Sequence, residues 1–342
     1  MKPREIFLRA LQRETVPRPA TGSATSVVTV DLMDKVGVHF PEAHLDAEKM
    51  ARLAAAGHTE IGFDNIMPLF SVCHDAAALG CEVDWGRLDI MPTCGKPPYG
   101  IDDEIVIPRD FFERPAARVA LDSLRLLSTR YGEDVAIVGK VFGPWTLGYH
   151  MFGVEEFLIN TLLDPGAVKR AIASLKEATV LFGTAQLEAG AQALCIADHA
   201  TRDVCSPKAY SEFLVEIHQE IAERLPCPLI LHICGDTSDR IPDIANTGMA
   251  CFHFDSKVPT PTARRLAGDR LSLMGGTSNL DIIQHGSPEA IAADVEMKVA
   301  NRVDIIGPEC AVPLDAPCEN MKLLAAEAKK ARGPQSVGED VC

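Results

Sequence analysis

Short apolar runs alternate along this chain with stretches whose apolar residues recur every three or four positions, and each run ends in polar residues or glycine. Such alternation predicts strands followed by helices, the pattern of a parallel sheet covered by helices. Eight candidate strands follow in order: Pro19–Thr25, Glu60–Ile66, Val135–Phe142, Ala193–Asp198, Leu229–Cys234, Ala250–Phe254, Leu271–Gly275 and Val303–Gly307. Between them Asp46, Asp164, Ser206, Thr260 and Ser287 each offer a capping oxygen at a helix start, and all but Asp46 directly precede a proline suited to the first helical position. Phe213, Ile217, Ile221 and Leu225, four apart, give one helix face that can pack on a sheet. Ile6, Phe7, Ala10 and Leu11 predict an amphipathic helix at the N-terminus.

Eight strand–helix units favour closure into a TIM-type (β/α)8 barrel. An open doubly wound sheet usually carries GxGxxG at its first turn, and that fingerprint is missing. The barrel is expected to occupy residues 1–330 as a single domain. The connection after the second strand, about residues 67–134, holds Pro92, Pro97, Pro98 and Pro108 and a helix expected over Ala116–Tyr131. It reads as a cap inserted over the barrel mouth. The polar tail, 331–342, is rich in breakers and expected to fray.

Composition narrows the function classes. A 47% hydrophobic and 24% charged share is that of an ordinary globular protein, and no run approaches the roughly 20 apolar residues of a membrane span. The first residues lack the apolar core of a secretory signal, and eleven cysteines in no regular framework suit a reducing compartment, so a cytoplasmic location is expected. A formal charge of −15 without a basic stripe argues against nucleic acid as a partner. GxxxxGK[ST], HExxH and GxSxG are absent, which argues against P-loop, zincin and α/β-hydrolase chemistry.

The candidate chemistry sits at strand ends. LILHICGDTS places His232 and Cys234 two apart, hence on one face of a strand. Cys310 follows the last predicted strand, and barrel closure brings all carboxyl ends to one rim. An isolated His-x-Cys is ordinarily a pair of packed interior residues. The position of this pair at a strand end, with a second cysteine at another, makes a three-ligand zinc site with an open fourth position as good a reading as packing. Two thiolates cancel the charge of the dication, so a third sulfur bound there is deprotonated near neutral pH yet stays nucleophilic.

Asp198, Asp255 and Glu309 are the catalytic candidates, and His199 and Asn279 the candidates for cofactor contact. Asp255 and Glu309 are the better placed to back a ligand or serve as a displaceable fourth ligand. For each of these residues taken alone, helix capping or loop bonding is the competing role. His74, His150, His218, His253 and His285 and the remaining cysteines read as packing or surface residues.

The segments HFPEAHLDAEKMARLAAAGHTEIGFDN, GCEVDWG, LHICGDTS and GPECAVPLDAP resemble the methylcobamide:coenzyme M methyltransferases of the uroporphyrinogen decarboxylase superfamily. The resemblance implies a zinc-dependent methyltransferase, with Zn2+ on His232, Cys234 and Cys310. It implies a corrinoid (methylcobalamin) carried by a partner corrinoid-binding protein, and in-line attack of a thiolate on its methyl group. The acceptor would be a small thiol such as coenzyme M. A donor-side enzyme of the same kind, demethylating a methoxylated or methylated small molecule onto a cobalt(I) corrinoid, carries the same ligand motif. Uroporphyrinogen decarboxylase itself is disfavoured, because TGSATSVVTV stands where an arginine-rich segment would hold the substrate carboxylates. A non-catalytic corrinoid-protein binder would need a closed four-ligand zinc site.

Overall fold

Buried, mostly apolar segments form the strands of a barrel. In the computed structural model, which describes residues 1–331, the barrel strands are β1 (Ala20–Thr21), β2 (Asn65–Ile66), β3 (Ala136–Phe142), β4 (Ala193–Ala197), β5 (Leu229–His232), β6 (Cys251–Phe254), β7 (Ser272–Gly275) and β8 (Ile305–Ile306). Each falls inside or against a predicted run. The second is shorter than expected, because Glu60 ends the helix Ala47–Thr59 rather than opening a strand.

All paired barrel strands are parallel, and they follow chain order around one sheet, with β1 beside β8. The seam between β1 and β2 is closed locally. Asp64 N donates to Thr21 O at 2.7 Å, while the Asn65 side chain donates to Ser23 O at 2.8 Å and accepts from Ser23 N at 3.1 Å. The result is a nearly closed TIM-type barrel wrapped by helices.

The N-terminal helix, Pro3–Leu11, buries the four residues its spacing predicted, Ile6, Phe7, Ala10 and Leu11. Ser272 at the start of β7 donates its hydroxyl to Ala10 O at 2.8 Å, which sets this helix across the amino end of the barrel and leaves the opposite rim free. Four of the five predicted caps form: Asp46, Asp164, Ser206 and Ser287 accept from the backbone N–H three residues on. Thr260 is a correction. It lies inside its helix, Thr260–Ala267, whose cap position is Pro259 and whose start carries no side-chain cap. The face from Phe213 to Leu225 is also not one helix, since the chain breaks at Leu214 between Pro207–Phe213 and Val215–Arg224.

The long connection after β2 carries the helix His74–Leu79, an antiparallel hairpin (Val83–Asp84 with Thr93–Cys94) and the helix Pro115–Tyr131. After β3 come the helices Pro144–Phe152 and Val154–Leu163 and then the 24-residue helix Pro165–Glu188. The predicted tail lies, from residue 332 on, outside the described residues. Among the described residues no helix is long and apolar enough to cross a membrane.

Candidate metal centre

His232 is the last residue of β5, and Cys234 follows it by one period of strand alternation. Gly235 then turns the chain with φ +80°, and a Cβ there would run into the Thr201 hydroxyl, so the turn favours glycine. Cys310 arrives from the loop after β8. His232 Nε2 lies 3.0 Å from Cys234 Sγ and 3.5 Å from Cys310 Sγ, and the two sulfurs are 3.0 Å apart. All three ligand atoms fall within 4.8 Å of one another, a span that a single ion can bridge. One imidazole and two sulfurs suit zinc, and three protein ligands leave a place for an exogenous one.

The surrounding groups hold these ligands in place. His232 Nδ1 donates to the His253 carbonyl at 3.3 Å, leaving Nε2 for a metal. His253 Nε2 in turn donates to Pro308 O at 2.8 Å, so one buried histidine steadies both the imidazole ligand and the loop that carries Cys310. Burial pushes the His253 imidazole well below the ordinary histidine value, which fits a neutral donor. The two sulfurs titrate as a pair. Donation from Cys234 and the neighbouring His232 hold the Cys310 thiol well below its usual range, and the hydrogen bond to Cys310 together with burial pushes Cys234 up.

Asp255 accepts from Gly235 N at 2.8 Å and from Lys257 N at 2.9 Å. Glu309 accepts from Ser256 N and Asn279 N, each at 2.8 Å. Both carboxylates therefore pin the loops bearing Cys234 and Cys310. Burial raises the Glu309 carboxyl. Asn279 donates to Ala311 O at 2.8 Å, beside Cys310, and does not line the cavity described next. Asp198 is buried and borders the same cavity as the three residues, with both oxygens engaged: Oδ1 accepts from Thr146 N at 2.8 Å and Oδ2 pairs with His218 Nε2 at 3.0 Å. His199 faces the open cavity, its imidazole lowered by burial and by His232.

The ligands form one wall of a cavity of about 580 Å³. Phe70, Val72, Phe142 and Val154 supply apolar walls, and Pro92 to Gly95 and Pro97 of the long connection overhang it. Thr146, Tyr149 and His150 reach in from the helix Pro144–Phe152. Cys94 Sγ lies 2.9 Å from His150 Nδ1 and donates to Cys73 Sγ at 3.7 Å. That bond to Cys73 is the main cause holding the Cys94 thiol up at about 12, so it stays protonated in the cavity that His232, Cys234 and Cys310 line.

Two further residues matter here: His253, which the sequence suggests is a packing or surface residue, and Lys140, which no motif in the sequence singles out. His253 is the support just described. Lys140, in the middle of β3, lines the cavity although its residue is only 3% exposed. The available signal was a lone lysine in the otherwise apolar run AIVGKVF.

The uroporphyrinogen decarboxylase (URO-D) family model matches residues 2–331. The chain belongs to this family. A methylated-thiol–coenzyme M methyltransferase of Methanosarcina mazei is 30% identical over 336 residues, covering 98% of this chain and 91% of that protein. The methylcobamide:CoM methyltransferase MtaA of Methanosarcina barkeri is 30% identical over 323 residues, covering 94% and 95%. A solved methyltransferase from Methanosarcina mazei superposes with a TM-score of 0.93 at 28% identity, covering 96% of this chain and 99% of that one. Within the URO-D family, then, the chain is similar along nearly its whole length to methyltransferases.

Proposed function

We propose that the protein is a zinc-dependent methyltransferase that moves a methyl group from a methylated corrinoid, presented by a separate corrinoid protein, to a small thiol such as coenzyme M. The observation that carries this reading is the convergence of His232 Nε2, Cys234 Sγ and Cys310 Sγ at the wall of one large cavity. The names of the relatives, methylcobamide:CoM and methylated-thiol–coenzyme M methyltransferases, supply the reaction class.

A zinc ion on these three residues would lower the pKa of an incoming thiol and keep its sulfur nucleophilic. The chain does the rest. His253 orients His232, and Glu309 and Asp255 fix the loops, so the ligands are held before substrate arrives. Apolar walls at Phe70 and Phe142 keep water from the sulfur. Exposed Val72 and Val154 border the mouth and offer an apolar rim to a protein that presents the methyl group. Decarboxylation of a porphyrinogen fits poorly, since Lys140 is the sole lysine or arginine among the lining residues.

The test is to incubate the purified zinc-loaded protein with methylcobalamin and 2-mercaptoethanesulfonate. Thiol-dependent loss of the methyl-cobalt spectrum with formation of the methyl thioether is expected. If nothing happens there, while a methylated substrate plus cobalt(I) cobalamin yields methyl-cobalt, the direction proposed is wrong.

A further inference from the structure

Five lysine or arginine residues are buried among the described residues: Lys140, Lys176, Arg240, Arg264 and Lys298. Four have an acidic partner, Glu220 for Lys176, Asp239 for Arg240, Asp304 for Arg264 and Asp294 for Lys298. Lys140 is the exception. Its ammonium has no carboxylate oxygen within the 4.0 Å of an ion pair and no hydrogen-bond acceptor among the described residues. It lies 5.5 Å from the centroid of the Phe142 ring, on the same inward face of β3. The backbone beneath is locked: Lys140 N donates to Gln186 Oε1, and Gln186 Nε2 donates to Lys140 O, both at 2.8 Å.

A buried cation without a counter-ion is costly, and burial weakens the hold of the Lys140 amine on its proton, so an anion entering the cavity would keep the proton there and complete the pair. The groups near enough to act on its charge are Asp75 and the thiols of Cys73, Cys195 and Cys310. Asp75 is a poor counter-ion. It spends one oxygen on Phe142 N at 2.9 Å, and burial holds its carboxyl up at about 7. The metal centre offers no net negative charge either, once two thiolates face a dication. Lys140 is thus the one lysine or arginine among the residues lining the cavity that His232, Cys234 and Cys310 also line.

Building on the thiol-acceptor reading, we propose that Lys140 binds the anionic end of the small thiol, so that the protein selects thiols with a sulfonate or carboxylate a short linker away from the sulfur. The sulfur end is then fixed at His232, Cys234 and Cys310 and the anionic end at Lys140, which orients the nucleophile from both ends. The ammonium, as a point charge rather than a planar fork, accepts either kind of anion.

Calorimetric titration of the zinc-loaded protein with 2-mercaptoethanesulfonate, 3-mercaptopropionate, 2-mercaptoethanol and cysteamine tests this without turnover. Wild type should bind the two anionic thiols about ten-fold or more tighter than 2-mercaptoethanol, the worth of a charge-assisted hydrogen bond, and cysteamine most weakly. Lys140→Met should bring the sulfonate-to-alcohol ratio within about two-fold while Lys140→Arg keeps part of it, zinc content and melting point reporting whether each variant is folded. Equal binding of the four thiols by wild type, or an unchanged ratio in folded Lys140→Met, overturns the assignment but leaves thiol acceptance standing. No binding of any thiol overturns both.

Discussion

At the residue scale, the centre depends on side chains that have little freedom. Removing one of the three should empty it: the wild type is expected to hold roughly one zinc per chain and His232→Ala and Cys310→Ser little of it, checked by metal analysis after dialysis. Removing a support should weaken it without emptying it. His253→Phe loses the bond to Pro308 O, and zinc affinity should fall about 10–100-fold in a chelator competition, with the melting point as the folding control. Gly235→Ala forces φ +80° on an L-residue and drives its Cβ into Thr201, so it should cost about 1–3 kcal/mol in denaturant unfolding and loosen zinc as well. The convergence of His232, Cys234 and Cys310 was legible in the sequence because His-x-Cys at a strand end fixes a face and a rim. His253 and Lys140 were not. Both sit at inward positions of strands, and which inward residues meet is decided by closure of the barrel, a long-range property that local spacing does not carry.

At the element scale, the alternation of buried runs and capped helices located every barrel strand, because the strands are buried beneath helices and most lie in largely apolar segments. Ends were less legible. Glu60 is polar and follows a helix, so it continues the helix into the turn rather than starting β2. Thr260 is drawn inside its helix and buried, which leaves its hydroxyl no free backbone N–H to cap. Where a cap does form, it should count. Asp164 accepts from Ala167 N at 2.9 Å at the head of the 24-residue helix Pro165–Glu188, and Asp164→Ala should lower stability by about 0.5–2 kcal/mol in urea unfolding.

At the scale of the whole molecule, the interior sets an acid limit. Burial holds His44 at about 3, His74 at about 4 and His150 at about 4, against the ordinary value of 6.5. Unfolding exposes these rings to protonation, so the unfolded chain binds more protons than the folded one between about pH 4 and 6.5. Their contribution to stability is complete above pH 6.5 and is lost as pH falls, by up to about 1.4 kcal/mol per pH unit for each ring. Asp75 acts in the opposite sense, because its raised carboxyl makes the fold less stable as pH rises from about 4 to 7. With five lowered rings, His199 and His253 joining these three, against the raised carboxyls of Asp75, Asp304 and Glu309, the melting point should drop as pH falls from 6.5 to 5. Asp75→Asn should steepen that drop, and a flat profile would show that these rings are not held neutral.

The barrel as a whole exists, in this account, to bring Cys310 to the pair on β5 and leave room beside them for a sulfur from outside. X-ray absorption at the zinc edge, recorded with and without 2-mercaptoethanesulfonate, tests that most directly. One nitrogen and two sulfur ligands from the protein are expected, with a third sulfur entering the shell on addition of the thiol. A shell already closed by four protein ligands and unchanged by the thiol, or a protein that takes up no zinc, would contradict it.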